Sequence, residues 1–454
     1  MTRNNKLRSA DKFRVNCTAL LTILLTVIFT AVGSFAGGLE STTEKAIVKA
    51  IDDNQDKALL LLEKVVNINS GSLNIVGVRE VGKVFMQEFE ALGFNTRWVD
   101  GAQWNRAGHL IAEYGDKGSH FLMIGHLDTV FESDSPFQGY TRTSDTSATG
   151  PGIVDMKGGN VIILECLRAL KLAGVLNQMT VSVVLIGDEE SSGRPLSESR
   201  DLLIQTADRS DIALAFENGD SNPATAVIAR RGYTGWQLDV RGTPAHSSQI
   251  FTEQVGYGSI YESARILTGF YQQMDAEQFL TFNPGIILGG TTVNYENETA
   301  RGNSFGKANI VAESTVVTGD LRTISLAQLN SAQQRMQAIV QANLPGTSAD
   351  ITFTAGYPAL APTQGNRKLL EFYNAASQDL GLGEVTAVDP ARAGAADVSF
   401  TAGLVEMALD GMGMMGSGAH TVKEEADLPQ LQSQAKRAAV LMYRLRNRYA
   451  STTD

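Results

Sequence analysis

The chain is poor in cysteine and in histidine, with two of the first and five of the second in 454 residues. Cys17 lies in an apolar amino-terminal leader, so removal of the leader leaves Cys166 alone. That excludes an internal disulfide, and size and packing must hold the mature chain together. Cys17 also precedes the apolar run instead of following it, which argues against a lipid-anchored cysteine. Past the leader there is no basic cluster, internal repeat, low-complexity tract or charge run. A formal net charge of −11 without such a cluster makes nucleic acid and anionic membrane surfaces poor partners.

The leader is the one compositional anomaly. Arg3, Lys6, Arg8, Lys12 and Arg14 precede an apolar run from Ala19 to Gly33. That run is about fifteen residues long, short for a membrane span. Ser34-Phe35-Ala36 then offers small residues where a signal peptidase reads, so residues 1–36 are expected to be a secretory signal cleaved before Gly37. The mature charge becomes −15. An exported protein, periplasmic or secreted and without stable membrane association, is the expectation; an uncleaved anchor is the alternative.

What remains is ordinary for a globular protein, with 43% hydrophobic and 19% charged residues, and long enough for two or three domains. Helical spacing covers 41–66, 75–92, 160–174 and 196–207. Strand-like runs occupy 109–114, 120–125, 180–187 and 211–216. Strands alternating with helices predict an α/β class with a mostly parallel sheet covered on both faces. After about residue 225 the order becomes β-α-β-β-α-β, which predicts an inserted ferredoxin-like module at 226–355. The α/β pattern resumes from about 356 and ends in a helix over 429–447 opened by Pro429. Residues 37–225 and 356–454 would then form one domain in two parts.

The residues able to do chemistry gather at strand ends. In IGHLDTV, His126 and Asp128 stand two apart in extended chain, where alternate side chains point the same way and a carboxylate can fix an imidazole tautomer. Asp155 sits in the glycine-rich GPGIVDMKGGN just before a helix. Glu189 and Glu190 follow one apolar strand and Glu217 another. Taken singly these read as a turn aspartate or as solvated loop acids. Together they occupy the edge where open parallel sheets bind ligands, and His420 belongs to a loop able to reach the same edge. Two histidines with several carboxylates and no cysteine make a nitrogen and oxygen donor set suited to zinc, manganese or cobalt.

On these segments (GHLDTV, GPGIVDMKGG, GDEES, AFENGD, RGTPAHSS and GSGAHTVKEE, in that order) the chain resembles the co-catalytic metallopeptidase family of bacterial glutamate carboxypeptidases, aminoacylases and succinyl-diaminopimelate desuccinylases. The resemblance runs over almost all of 37–454. It implies two divalent metal ions, zinc first, bridged by Asp155. His126 and Glu217 would complete one site, Glu190 and His420 the other. Asp128 would orient His126, and Glu189 would be the general base for hydrolysis of an N-acyl amino acid or small peptide. A water shared by two such cations loses its proton near neutral pH. The resemblance further implies a homodimer through the inserted module, with His246 reaching the partner's site to polarise the substrate carbonyl. Asn309 and Arg322 would hold the carbonyl region and the carboxylate, for which an arginine fork is suited.

The chain departs from that family where glutamate-specific members tend to carry arginine: Tyr357 stands there. RAGAADVSF also replaces a glycine- and threonine-rich loop before Asp397. Tyr357 suits a bulkier or less charged leaving group, and Arg392 is an alternative source of charge. Rival readings have weak support. GNSFG around Ser304 lacks the strand-turn-helix context of a serine nucleophile. G-x-G-x-x-G at 411–416 opens no long helix and no βαβ unit. A metal-free binding protein on this scaffold should have lost ligands, and the whole set is present. Aminopeptidase or dipeptidase action is the rival within the enzyme class.

Overall fold

A computed structural model describes residues 38–449 except Glu40 and Glu298, so the leader expectation for 1–36 lies outside the described residues. No helix among the described residues is long and apolar enough to cross a membrane. The larger part is a six-stranded sheet. Four neighbouring strands are parallel, in the order Thr180–Ile186, His120–His126, Ile212–Ala215 and Met407–Leu409. Gly108–Tyr114 and Asn95–Asp100 extend it antiparallel at one edge.

Both faces of this sheet are covered, as the near-continuous apolar runs require. Phe121 and Met123 point into a core built with helices Lys157–Leu172 and Pro429–Leu445. Leu122 and Ile124, alternating with them, join Leu203 and Ala207 of helix Asp201–Asp208 on the opposite face. The chain leaves strand His120–His126 for one neighbour, Thr180–Ile186, and later adds Ile212–Ala215 on the other side. The order therefore reverses at that central strand, and the crevice at such a reversal is where open sheets bind ligands.

The inserted module is a four-stranded antiparallel sheet in the order Thr281–Gly290, Ser314–Thr323, Gly232–Gly242, Thr347–Ala355. Helices Gly258–Met274 and Leu326–Gln341 cover one face, giving the expected β-α-β-β-α-β order. Trp236, Leu238 and Val240 alternate into this second core, where Trp236 meets Phe270 edge-on at 6.0 Å.

Local outcomes differ from the periodicity in three places. The helix over 41–66 is two helices, Thr42–Asp53 and Gln55–Val66, interrupted at Asn54, whose side chain donates to the buried Glu165 carboxylate instead of continuing the first turn. The helix over 196–207 is likewise two, Leu196–Ser199 and Asp201–Asp208, broken at Arg200. GIILGGTTVNY over 285–295, whose sequence predicts one strand, divides between Thr281–Gly290 and Thr292–Glu296, the latter forming a hairpin with Arg301–Phe305. Ser304 is thus a strand residue in that hairpin, not a nucleophile on a turn.

Candidate metal centre

The carboxyl ends of the parallel strands supply the site. His126 is the last residue of its strand and is buried. Its Nε2 lies 3.1 Å from Asp155 Oδ1 and 3.3 Å from Glu217 Oε1. On the other side of the same aspartate, His420 Nε2 lies 3.1 Å from Asp155 Oδ2 and 3.2 Å from Glu190 Oε2. Asp155 therefore divides its two oxygens between two groups, each made of one imidazole nitrogen and one further carboxylate. Donor atoms of His126, Asp155 and Glu190 all fall within 4.8 Å of one another.

Four of the five candidate ligands, His126, Asp155, Glu190 and Glu217, are held through their backbones as well. Asp155 sits between a glycine-rich turn and helix Lys157–Leu172. Glu424 accepts the N–H groups of Gly152, Val154 and Asp155 at 2.8–3.1 Å, clamping that turn. Asn160 donates to the His126 carbonyl at 2.6 Å. Asp128 accepts from the backbones of Glu189 and Glu190 and from Ser72 Oγ, while His126 Nδ1 stands 3.4 Å from its other face. Glu217 N donates to Asp410, whose second oxygen pairs with buried Arg230 at 2.6 Å.

The loop that carries His420 approaches closely because of its glycines. Gly411 has φ +78°, and a Cβ at Gly413 would lie 1.8 Å from the Phe216 carbonyl oxygen. His420 itself has φ +63°, a left-handed conformation that non-glycine residues adopt at a cost and that concentrates at functional sites. The 411–416 spacing thus serves close packing beside Glu217.

Charge within the cluster is crowded. Burial and the Asp155 carboxylate raise Glu217 to about 7. Burial also raises Glu190, and burial followed by the Asp397 carboxylate pushes Glu189 well above the usual range. Burial raises the Asp155 carboxyl, but the two histidines outweigh it and hold it below its ordinary value. Burial opposes charge on His126, yet Glu217, Asp128 and Asp155 outweigh it and hold that imidazole well above 6.5. Hydrogen bonds to Asp155 and Glu190 carry His420 to about 11. Glu190 Oε1, buried in this cluster, has no hydrogen-bond partner. Nitrogen and oxygen donors converging with one orphaned carboxylate oxygen and excess negative charge fit divalent cations.

A cavity of about 490 Å³ opens beside this cluster, lined by Glu189, Glu190, His420, Ser192, Arg194 and Arg322, with the Tyr233 and Tyr357 rings stacked 5.9 Å apart. Tyr357 is buried and its hydroxyl is taken by Ser192 and by Arg200, a fully buried cation paired with Asp188 and Asp397. Of the residues singled out by sequence, His126, Asp128, Asp155, Glu189, Glu190, Glu217 and His420 are brought together, and Arg322 and Tyr357 line the adjoining cavity. His246 and Asn309 are not among its lining residues. They neighbour each other on the exposed side of the inserted module, where Ser247 N donates to the Asn309 carbonyl and His246 Nδ1 meets Ser248 Oγ. Arg392 points to Asp220 at 3.3 Å with its side chain largely exposed. Asn160, Arg194, Arg200, Asp410 and Glu424 escaped sequence reasoning. Only Glu424 carried a signal, its place in HTVKEE.

Comparison with known proteins agrees with this geometry. The model of the peptidase family M20/M25/M40 matches residues 122–444. Carboxypeptidase G2 of Pseudomonas sp. (strain RS-16) is 26% identical over 84% of this chain and 87% of its own length. Acetylornithine deacetylase of Pasteurella multocida is 27% identical over 45% of this chain and 54% of its own. Among solved structures, aminopeptidase PepT from Bacillus cereus superposes with a TM-score of 0.65 at 18% identity, covering 86% of this chain and 99% of that one.

Metal affinity should depend steeply on pH. Both imidazoles have raised pKa values in the metal-free protein, so cations must displace their protons. Apparent zinc affinity, measured by chelator competition between pH 6 and 8, is expected to rise by about one log unit per pH unit for each imidazole displaced. Affinity that levels off above pH 7 would mean ordinary imidazoles and would contradict the geometry.

Proposed function

The chain belongs to peptidase family M20/M25/M40, and on that premise we propose that it is an exported, two-metal amidohydrolase of carboxypeptidase or aminoacylase type. Family membership makes it a hydrolase of peptide or amide C–N bonds. The finer reading rests above all on one observation: Asp155 presents Oδ1 to His126 and Glu217 and Oδ2 to His420 and Glu190. Those five residues would hold two divalent ions, with zinc the first choice and cobalt or manganese compatible. When bound, such cations supply Lewis acidity to the scissile carbonyl and ease deprotonation of water.

The chain's own groups do the rest. Glu189 lies beside ligand Glu190, lines the cavity and makes no ion pair with either histidine of the centre. Its raised pKa, caused by burial and by Asp397, suits a base that takes a proton from the attacking water and returns it to the leaving nitrogen. Asp128 fixes the Glu189 and Glu190 backbones and so sets where that base stands. Arg322 has guanidinium donors available beyond the one Nε bond to Asp320, and would receive the carboxylate of an N-acyl amino acid or small peptide.

Export is proposed from the leader composition, and pairing of two copies from the inserted module. Phe251, Ile260, Tyr261, Ile287 and Phe305 are exposed there, more apolar surface than a lone module needs, on the same module as His246. Pairing would bring His246 of one copy to the other's cavity, which its own chain does not do.

Two outcomes test this reading. Glu189→Gln should lower kcat on N-acyl amino acids by about 10²- to 10⁴-fold while zinc content stays at the wild-type level. Retention of most activity removes Glu189 from the role of base. Second, His246→Ala and Glu189→Gln should each be inactive, yet mixing them under subunit exchange should restore about a quarter of wild-type activity through heterodimers with one complete site. No recovery, with exchange shown by sedimentation of differently tagged copies, would place His246 outside the reaction.

A further inference from the structure

The backbone of Glu189 is held from the connection between the inserted module and the catalytic part. Tyr357 stands two residues beyond strand Thr347–Ala355, and its carbonyl accepts the N–H of Tyr233, near the start of strand Gly232–Gly242, at 3.0 Å. Its backbone therefore belongs to the two passages of chain that join the module to the rest. Its hydroxyl belongs to the segment that carries the base. It lies 2.5 Å from Arg200 Nη2, 2.8 Å from Ser192 Oγ and 3.3 Å from the Glu189 carbonyl oxygen. Ser192 Oγ reaches the same carbonyl at 3.3 Å, and Arg200 Nη2 donates to the Asp188 carbonyl at 3.1 Å.

The hydrogens available fix how these groups share that carbonyl. A guanidinium only donates, so the Tyr357 oxygen accepts from Arg200 and keeps its own hydrogen to give. Tyr357 and Ser192 then have two hydroxyl hydrogens, one for the bond between them and one for the Glu189 carbonyl, in either order. Burial and the Asp397 carboxylate hold the phenol protonated against the pull of the Arg200 cation, so its hydrogen stays in place. The ring is fixed too, stacked on Tyr233 at 5.9 Å and edge-on to Phe400 at 4.9 Å. On the other side of Glu189, Asp128 accepts its N–H at 3.0 Å. Both backbone polar groups of Glu189 are thus tied, one to the segment after His126 and the other to the module's connection.

We infer that Tyr357 is a positioning residue: its hydroxyl, with Ser192 and Arg200, carries the placement of the inserted module's connection to the Glu189 carbonyl and so to the catalytic base. This rests on the amidohydrolase reading, in which Glu189 is that base, and adds a residue that acts through it. Its place in the sequence suggests a contact with the leaving group. The hydroxyl is instead engaged by three groups of the chain itself, and only the ring is left to form a wall of the cavity. Proton transfer needs the Glu189 carboxylate within about 2.6–3.2 Å of the group it serves. A shift of about 1 Å in the backbone that carries it lowers the rate about a hundredfold.

The test uses the full zinc-loaded enzyme with N-acetyl-phenylalanine, N-acetyl-glutamate and alanyl-phenylalanine as probes, continuing with whichever the wild type hydrolyses fastest. Tyr357→Phe keeps the stacked ring and removes only the hydroxyl. It should lower kcat about tenfold to a hundredfold, with KM within about twofold of wild type and zinc content unchanged. Ser192→Ala, which removes the other hydroxyl at that carbonyl, should lower kcat in the same way by a smaller factor. Added to Glu189→Gln, Tyr357→Phe should cost no more than about twofold further, because the group it places is already gone. A raised KM with unchanged kcat would make Tyr357 a substrate contact and overturn the assignment. So would an equal loss in both backgrounds, or wild-type kcat in both hydroxyl variants. Each of these leaves the amidohydrolase reading standing, whereas hydrolysis of none of the three probes by wild type sinks both.

Discussion

Everything around the centre depends on where one carboxylate is placed. Asp155 can serve two neighbours only if its plane lies between His126 and His420, with one oxygen toward each. A free turn aspartate would rotate toward solvent. Here the turn is fastened from below by Glu424, which takes three consecutive-region N–H groups into one carboxylate. Backbone groups that would otherwise be buried without partners are satisfied by the same bonds that orient the aspartate, so stability and placement have a common cause.

Glu190 and Glu217, the other candidate carboxylate ligands, repeat this arrangement with different partners. Asp128 holds the Glu189–Glu190 segment, and Asp410 holds Glu217, each by accepting backbone N–H groups. Behind them stand buried cations, Arg230 on Asp410 and Arg200 between Asp188 and Asp397. Burying such pairs gives little net stability, but removing one partner typically costs about 3–5 kcal/mol because a charge is left alone. Their value is positional: they keep several acids in one place, against mutual repulsion, until cations neutralise them. Within the cluster of candidate ligands, the orphaned oxygen of Glu190 marks where that neutralisation is incomplete in the protein alone.

Much of this was legible in the chain. Apolar strand runs followed at once by His126, Glu189 and Glu217 point to a shared sheet edge, because parallel strands put their carboxyl ends together. The inserted module was legible from its element order. What escaped depends on long-range pairing that no local pattern carries. Asn54 and Arg200 break helices because their side chains find partners 111 and 197 residues away, in Glu165 and Asp397. The hairpin Thr292–Glu296 with Arg301–Phe305 is short, exposed and weakly periodic, so its strands merged into their neighbours. Arg392 looks suitable in sequence as a source of charge, and only the fold shows it held at Asp220 with its side chain largely exposed.

The most direct test of the central claim is where metal sits. Anomalous diffraction from crystals of the zinc-loaded chain should give two peaks per chain sharing Asp155, one against His126 and Glu217 and the other against Glu190 and His420. A single peak, or peaks that do not share Asp155, would contradict the account of a bridged centre.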